Sequence, residues 1–214
     1  MSKLIAIGVD ASGVNAVFKR LESKEQTKAL RSALNLTANQ ARTKLSGQAQ
    51  NTYTVKNAGF KKSMRISATS KYAVIRAEGA PLPLKDFKVS TRGNVVRAQV
   101  LKRGRLKPLV KDEIKAFVNN IANKHQVRKK DSKKGKAGSR VRHIAVAQRE
   151  GKERLGIEAK FSNSTPVMLG SEKRVYGVVE PEIGKDLQDN LRMFIDKVMA
   201  VSYTHLTLPT IYSV

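Results

Sequence analysis

Few residues of this sequence have the types and spacing that hydrolytic or metal-dependent chemistry needs. His125 and His143 are separated by a run of basic residues, and no HxH, HExxH or DxD spacing surrounds them. Asp112 and Glu113 are adjacent carboxylates in a basic half of the chain, whereas a metal-dependent nuclease holds its ions with several acids. The chain has no cysteine, which excludes thiol nucleophiles, disulfides and cysteine-ligated metals. This inventory predicts a protein that is not an enzyme and has no catalytic residue, metal or cofactor, with Asp112 and Glu113 on a solvated helix face.

The segment from Lys102 to Lys107, KRGRLK, contains a glycine among basic residues. It lacks the strand–GxxxxGK(S/T)–helix order of a phosphate-binding loop. We therefore interpret it as a turn with basic neighbours rather than as a nucleotide site.

The positive charge is unevenly placed along the chain. Residues 151–200 hold eight basic and eight acidic side chains, so the net charge of +25 arises upstream of Gly151. A field of this size attracts polyanions over about 8 to 10 Å at physiological salt. Nucleic acid or an acidic surface is the expected neighbour.

The most basic segment is 128–142, RKKDSKKGKAGSRVR, which has too few apolar side chains to order itself. We expect a mobile loop whose cations contact phosphates without reading bases. The alternative is a solvated, disordered insertion that touches no DNA. The candidate nucleic-acid-binding residues are Arg128, Lys129, Lys130, Lys133, Lys134, Lys136, Arg140 and Arg142.

Apolar spacing predicts helices at both ends of the chain. Leu30, Leu34, Ala38, Ala41, Leu45 and Ala49 recur every three or four positions, which indicates a long helix over 25–51. A short helix with Val14, Val17, Phe18 and Leu21 is expected before it. A final helix is expected after Pro181, because proline is favoured at a first-turn position.

Alternating patterns predict strands between these helices. Arg65–Thr69 and Tyr72–Ala77 suit a hairpin around Ser70 and Lys71, and 4–9, 89–91, 95–101, 143–149 and 154–161 suit further strands. Residues 109–122 have helical apolar spacing, but the resemblance given below favours an extended chain, so both structures stay open. The order of elements predicts an α+β fold, with a long N-terminal helix packed on a mostly antiparallel sheet, a C-terminal helix and a disordered basic loop. We expect a single domain over 1–200.

The last fourteen residues, VSYTHLTLPTIYSV, carry no charge and break the pattern before them. SYTHLTLPT resembles the translation of a transposase sequencing adapter, so we expect 201–214 to be non-native; the alternative is a genuine terminal strand. Upstream, no window is apolar and long enough for a membrane span. A soluble protein made in the cytoplasm is expected.

Three segments of the chain resemble parts of one known protein family. They are RLGIEAKFSNSTPVMLGSE from Arg154, Ala116-Phe-Val followed by KHQVRKK from Lys124, and ALRSALNLTANQA from Ala29 with Tyr53-Thr-Val-Lys. The family is the minor tail protein Z family of tailed bacteriophages. The first segment is similar to its segment that ends in a small residue–Pro–x–Met step, the second resembles its Ala-Phe-Ile tract and the turn after it, and the third resembles its leading helix. The matches occur in the family's order and together span about residues 3–199.

This resemblance implies a structural protein that acts in tail completion at the head-proximal end of the tail. It implies a homo-oligomeric ring located in the virion, and in the host cytoplasm during assembly, with other tail or head–tail connector proteins as partners. Basic faces turned to the central passage would hold double-stranded DNA. The alternative is a free-standing, sequence-nonspecific nucleic-acid-binding protein. Residues suited to subunit contacts are Pro166, Val167, Met168, Leu169, Leu187, Leu191 and Phe194.

Overall fold

The computed structural model describes residues 3–8, 23–56, 59–93, 95–122, 142–151 and 156–206. Its helices are α1 Ser23–Thr52, α2 Phe60–Ser63, α3 Thr165–Leu169 and α4 Tyr176–Leu206. Leu84–Asp86 forms a turn of 3₁₀ helix. The strands are β1 Lys3–Gly8, β2 Met64–Ala68, β3 Tyr72–Ala77, β4 Pro81–Pro83, β5 Lys88–Ser90, β6 Arg97–Gln99, β7 Lys107–Pro108, β8 Val110–Lys111, β9 Ile114–Lys115, β10 Phe117–Ala122, β11 Arg142–Arg149, β12 Ile157–Ala159 and β13 Phe161–Ser164.

The chain divides into two compact units. The first comprises Met1–Ala49, Gly59–Gly79 and Thr165–Val214, and the second comprises Gln50–Ala58 and Ala80–Ser164. Long helices packed with antiparallel strands confirm the α+β class. The single domain over 1–200 stays a prediction. The expected helix near Val14 to Leu21, residues 128–141 of the basic loop and residues 207–214 lie outside the described residues.

Helix α1 confirms the longest predicted element. Its apolar stripe is buried from Ala33 to Ala49, and Leu30 at its start is half-buried. Alanine has the highest helix propensity and the smallest side chain above glycine, so the stripe favours the helix and permits close packing. Burial of this face is what fixes the helix in the first unit.

The sheet of the first unit has the order β1-β3-β2 and contains the predicted hairpin. Met64 is paired with Ala77 and Ile66 with Ile75 in the antiparallel register of β2 and β3. Ala73, Ile75 and Ala77 of β3 are buried, whereas the alternate residues Tyr72 and Arg76 are exposed. The period of two therefore separates an apolar face from a solvent-facing one.

Helix α4 begins five residues before the predicted start at Pro181, which lies inside it. Its first turn is tied to Ser171, whose carbonyl oxygen accepts from the backbone N–H of Val175 and of Tyr176, both at 2.9 Å. Pro181 has no N–H to offer the carbonyl oxygen of Gly177, so the helix lacks one bond there. Val175 and Val179 are buried upstream of the proline. Their burial favours the earlier start and offsets the missing bond.

In the second unit, residues 110–122 form the strands β8, β9 and β10 rather than a helix, which decides between the two alternatives for this segment. β8 pairs with β9 and β10 pairs with β11, with Phe117 opposite Ala147. Asp112 and Glu113 form the two-residue turn between β8 and β9, with φ of 50° and 63°. The prediction of a solvated helix face for these two residues was therefore wrong, because the flanking strands β8 and β9 pair with each other across a two-residue turn.

Candidate nucleic-acid interface

The basic loop predicted from the sequence contributes one described residue. Arg142 begins β11, where it is paired with Ala122 at the end of β10. Arg128, Lys129, Lys130, Lys133, Lys134, Lys136 and Arg140 lie outside the described residues. Their contact with DNA stays a prediction.

A second group of exposed cations lies on α2 and on the β2–β3 hairpin that follows it, and sequence reasoning missed it. We call it the hairpin surface; its members are Lys61, Lys62, Arg65, Lys71 and Arg76, all exposed. Among the described residues, no carboxylate lies within 4 Å of these cations. Arg65 and Arg76 are directly opposite each other in the pairing of β2 with β3. The available signal was the alternation of the two strands, which places both arginines on one face.

Local structure holds the hairpin surface in place. Phe60 is buried at the start of α2, and the Ser63 hydroxyl donates to its carbonyl oxygen at 2.8 Å. At the other end, Thr69 Oγ1 accepts from the backbone N–H of Tyr72 at 3.2 Å and closes the hairpin turn. An apolar anchor and a side-chain-capped turn therefore support the exposed cations.

The segment 102–107 of the second unit, here the basic turn, is a turn as predicted. It presents four exposed cations: Lys102, Arg103 and Arg105 lie between β6 and β7, and Lys107 is the first residue of β7. Gln99 is buried beside it, and its side-chain Nε2 donates to three carbonyl oxygens: Leu101 at 3.0 Å, Lys102 at 2.9 Å and Gly104 at 2.6 Å. An amide has two N–H groups, so these three contacts share them.

Backbone bonds hold the basic turn as well. The N–H of Lys102 donates to the carbonyl oxygen of Thr52 at 2.9 Å, and the N–H of Gly104 donates to Leu101 at 3.0 Å. A Cβ added at Gly104 would lie 3.2 Å from the Leu101 carbonyl oxygen, which is a tight contact. The turn is therefore a closely packed backbone structure that displays four cations.

Ion pairs occur elsewhere in the described chain. Lys44 on α1 lies 2.8 Å from Asp186 and 3.1 Å from Glu182, both on α4. The hydrogen bond to Asp186 raises the pKa of Lys44 above its ordinary value, although partial burial opposes the shift. Lys160 contacts Glu158 at 2.6 Å, and this hydrogen bond lowers the pKa of the Glu158 carboxyl. Within the part of the chain that the structure describes, some cations therefore have a neutralising carboxylate, whereas those of the two basic surfaces do not.

The residues predicted for subunit contacts fall into two groups. Met168, Leu169 and Pro166 are fully buried inside the first unit, and Leu187 and Leu191 belong to the buried face of α4. This corrects their assignment, because a fully buried side chain offers no surface to another subunit. Val167 is 37 % exposed and Phe194 is half-buried with the Lys197 ammonium 5.4 Å from its ring centroid. These two keep the interface hypothesis for this set.

No cluster of His, Asp or Glu that could hold a metal ion occurs among the described residues. None of the described helices is both long and apolar enough to cross a membrane. No family model, curated protein or solved structure matches this chain. The functional assignment consequently depends on the two basic surfaces and on the sequence resemblance.

Proposed function

We propose that this chain is a structural protein of a bacteriophage tail that acts in tail completion at the head-proximal end. In this role it forms a ring, is attached to other tail or head–tail connector proteins, and holds the genomic DNA through basic surfaces. The resemblance of three segments to the minor tail protein Z family supports the tail assignment. The folded residues support the DNA contact.

The observation that supports the DNA contact is that helices, strands and turns display exposed cations that have no carboxylate partner among the described residues. Arg65 and Arg76 face each other across two strands, and the basic turn displays four further cations without a described carboxylate within 4 Å. A surface selected only for solubility mixes both signs. Single-sign surfaces attract polyanions, and phosphate contacts from lysine and arginine carry no base preference.

Exposed apolar side chains supply the basis for subunit contacts. Val178 and Met193 on α4 and Val167 on α3 are exposed. The segment 151–200, which contains all three, has equal numbers of acidic and basic side chains. Apolar surface without a large net charge suits association of identical chains better than the strongly basic half does. These side chains replace the buried Met168 and Leu169 as the apolar part of the interface.

The test is the mass of the full chain by light scattering at low and high salt, with and without duplex DNA. A discrete oligomer of ring size that binds DNA less tightly as salt rises is expected. Purified tails that lack their completion protein should take up this oligomer. A stable monomer that binds DNA and never associates with tails would instead establish the free-standing nucleic-acid-binding protein.

A further inference from the structure

We propose that the basic turn, 102–107, is a preformed contact for the phosphodiester backbone of duplex DNA, and that Gln99 is the residue that positions it. This inference rests on the DNA contact of the proposed function and assigns that contact to a named site. It adds a site that is separate in sequence from the basic segment 128–142.

Gln99 holds the shape of the basic turn without adding to its charge, so the two contributions to DNA binding can be tested separately. Its side chain is buried, neutral and directed at the carbonyl oxygens of Leu101, Lys102 and Gly104. Because these oxygens converge on one amide, the backbone that carries Lys102, Arg103 and Arg105 is held in a single shape. A turn held before binding loses less conformational freedom when it binds than a flexible lysine-rich segment does.

The backbone at Gln99 is also held in place, by contacts with the segment 52–54. The Thr54 hydroxyl donates to the carbonyl oxygen of Gln99, and the Thr54 N–H donates to Val100 at 3.0 Å. Tyr53, which is buried, forms a β-bridge with Leu101. The strand that carries Gln99 is therefore braced against the segment 52–54, so the amide has a fixed location from which to hold the turn.

The composition of the turn selects the ligand chemistry. Four of its six residues are lysine or arginine, none is acidic and none is aromatic. Without an aromatic ring, the turn offers no platform on which an unpaired base could stack. Arginine and lysine instead match the regularly spaced phosphates of a duplex. On the neighbouring strand β5, the exposed residue Lys88 is the register partner of Gln99, so a fifth cation lies beside the strand that leads into the turn.

The experiment uses the full chain and fluorescence anisotropy of a random-sequence DNA duplex at several salt concentrations. The test variant is Arg103→Ala with Arg105→Ala. The matched control is Lys185→Ala with Arg192→Ala, which removes the same charge from two exposed positions on α4. The test variant should bind roughly tenfold more weakly, with the slope of log affinity against log salt reduced by about 2, whereas the control should change little.

A second variant, Gln99→Met, removes the amide N–H groups without changing the net charge. It should bind DNA several-fold more weakly, while circular dichroism and unfolding midpoint show that the chain is folded. Exchange of the Gly104 amide hydrogen with solvent should become faster in the same variant, because the turn loses its anchor. If the Gly104 amide hydrogen exchanges faster in Gln99→Met but DNA affinity is unchanged, Gln99 does not position the turn for DNA binding.

Three outcomes overturn the proposal, and they are distinguishable from failure of the proposed function. Equal loss of affinity in the test and control variants would show a general charge effect. Loss of oligomer mass with unchanged DNA affinity in the test variant would assign the turn to a contact with another copy of the chain. If the wild-type chain binds no duplex DNA, both the DNA contact of the proposed function and this site are excluded, while ring formation and tail uptake stand on their own measurements.

Discussion

Arg65 on β2 lies directly opposite Arg76 on β3, on the exposed face of an antiparallel hairpin. Side chains in such pairs have Cβ atoms about 4.5 to 5.5 Å apart, so the two guanidinium groups repel each other. No carboxylate of the described residues lies within 4 Å of either one. An anion between the two groups would relieve the repulsion, and a phosphate has the charge and oxygens to do so.

We expect neutralisation of this pair to stabilise the fold and to weaken DNA binding. Arg65→Thr, Arg76→Thr and the double variant keep a strand-forming side chain while removing charge. A double-mutant cycle in urea should give a repulsive coupling of about 0.2 to 1 kcal/mol at low salt that shrinks at high salt. An attractive coupling, or one that is independent of salt, would contradict the electrostatic interpretation.

Two glycines of α4 should respond oppositely to alanine. A Cβ at Gly177 would overlap the carbonyl oxygen of Glu172, whereas a Cβ at Gly184 has no atom within 4 Å. Gly177→Ala should lower the free energy of unfolding by about 1 to 3 kcal/mol, and Gly184→Ala should raise it by about 0.5 to 1 kcal/mol. Chemical denaturation of both variants measures this. Similar effects at the two positions would show that the contact with Glu172 relaxes freely.

Removal of one partner from the buried hydrogen bonds between α1 and α4 should lower the free energy of unfolding. Asn190 Nδ2 donates to Thr37 Oγ1 at 2.9 Å and to Gln40 Oε1 at 2.7 Å. Thr37→Val leaves one buried N–H without an acceptor, so we expect a loss of about 1 to 3 kcal/mol. In an Asn190→Leu background the same substitution should cost much less. Additive losses in a double-mutant cycle would exclude this hydrogen bond as the cause.

The contribution of the Lys44 ion pair to the free energy of unfolding should depend on pH in the alkaline range. The folded-state pKa of Lys44 is raised above the ordinary value of 10.5, principally by the hydrogen bond to Asp186. Its contribution is therefore fully present below pH 10.5 and is lost as pH rises through the folded-state pKa. The stability difference between the wild-type chain and Lys44→Met should be constant from pH 7 to about 9 and should shrink above 10.5. Lys28→Met, which removes an exposed lysine from the same helix, is the matched control variant.

Much of the first unit could be predicted from local patterns. The stripe from Leu30 to Ala49 repeats at helical spacing, and the period of two in β2 and β3 is clear on both sides of the turn. The start of α4 could not be predicted from the sequence. Pro181 is a strong local signal for a helix start, whereas the burial of Val175 and Val179, which favours the earlier start, depends on packing with the rest of the unit. Tertiary packing outweighed the preference of a single residue.

The second unit and the site were less predictable for a related reason. Residues 114–121 have apolar spacing that fits a helix, but strand pairing decides the outcome. β9 pairs with β8, and β10 pairs with β11, whose register partners lie 20 to 30 residues further along the chain, from Ala122↔Arg142 to Phe117↔Ala147. Asp112 and Glu113 adopt positive φ without a glycine to signal it. Similarly, the charges of the basic turn are visible in the sequence, but the role of Gln99 appears only once strand pairing has buried it.

The first unit is assembled from three separate stretches of chain, and this has a consequence for how the protein is made. Gln40 and its partner Asn190 are 150 residues apart. At about 5 to 20 residues per second, a ribosome needs roughly 8 to 30 seconds to synthesise that interval. During this time the alanine and leucine stripe of α1 cannot pack against α4, which has not yet been synthesised. The stretch 80–164, which forms most of the second unit, is synthesised without interruption. The second unit is therefore completed first, whereas α1 lacks its contacts with α4 until the C-terminal stretch has been synthesised.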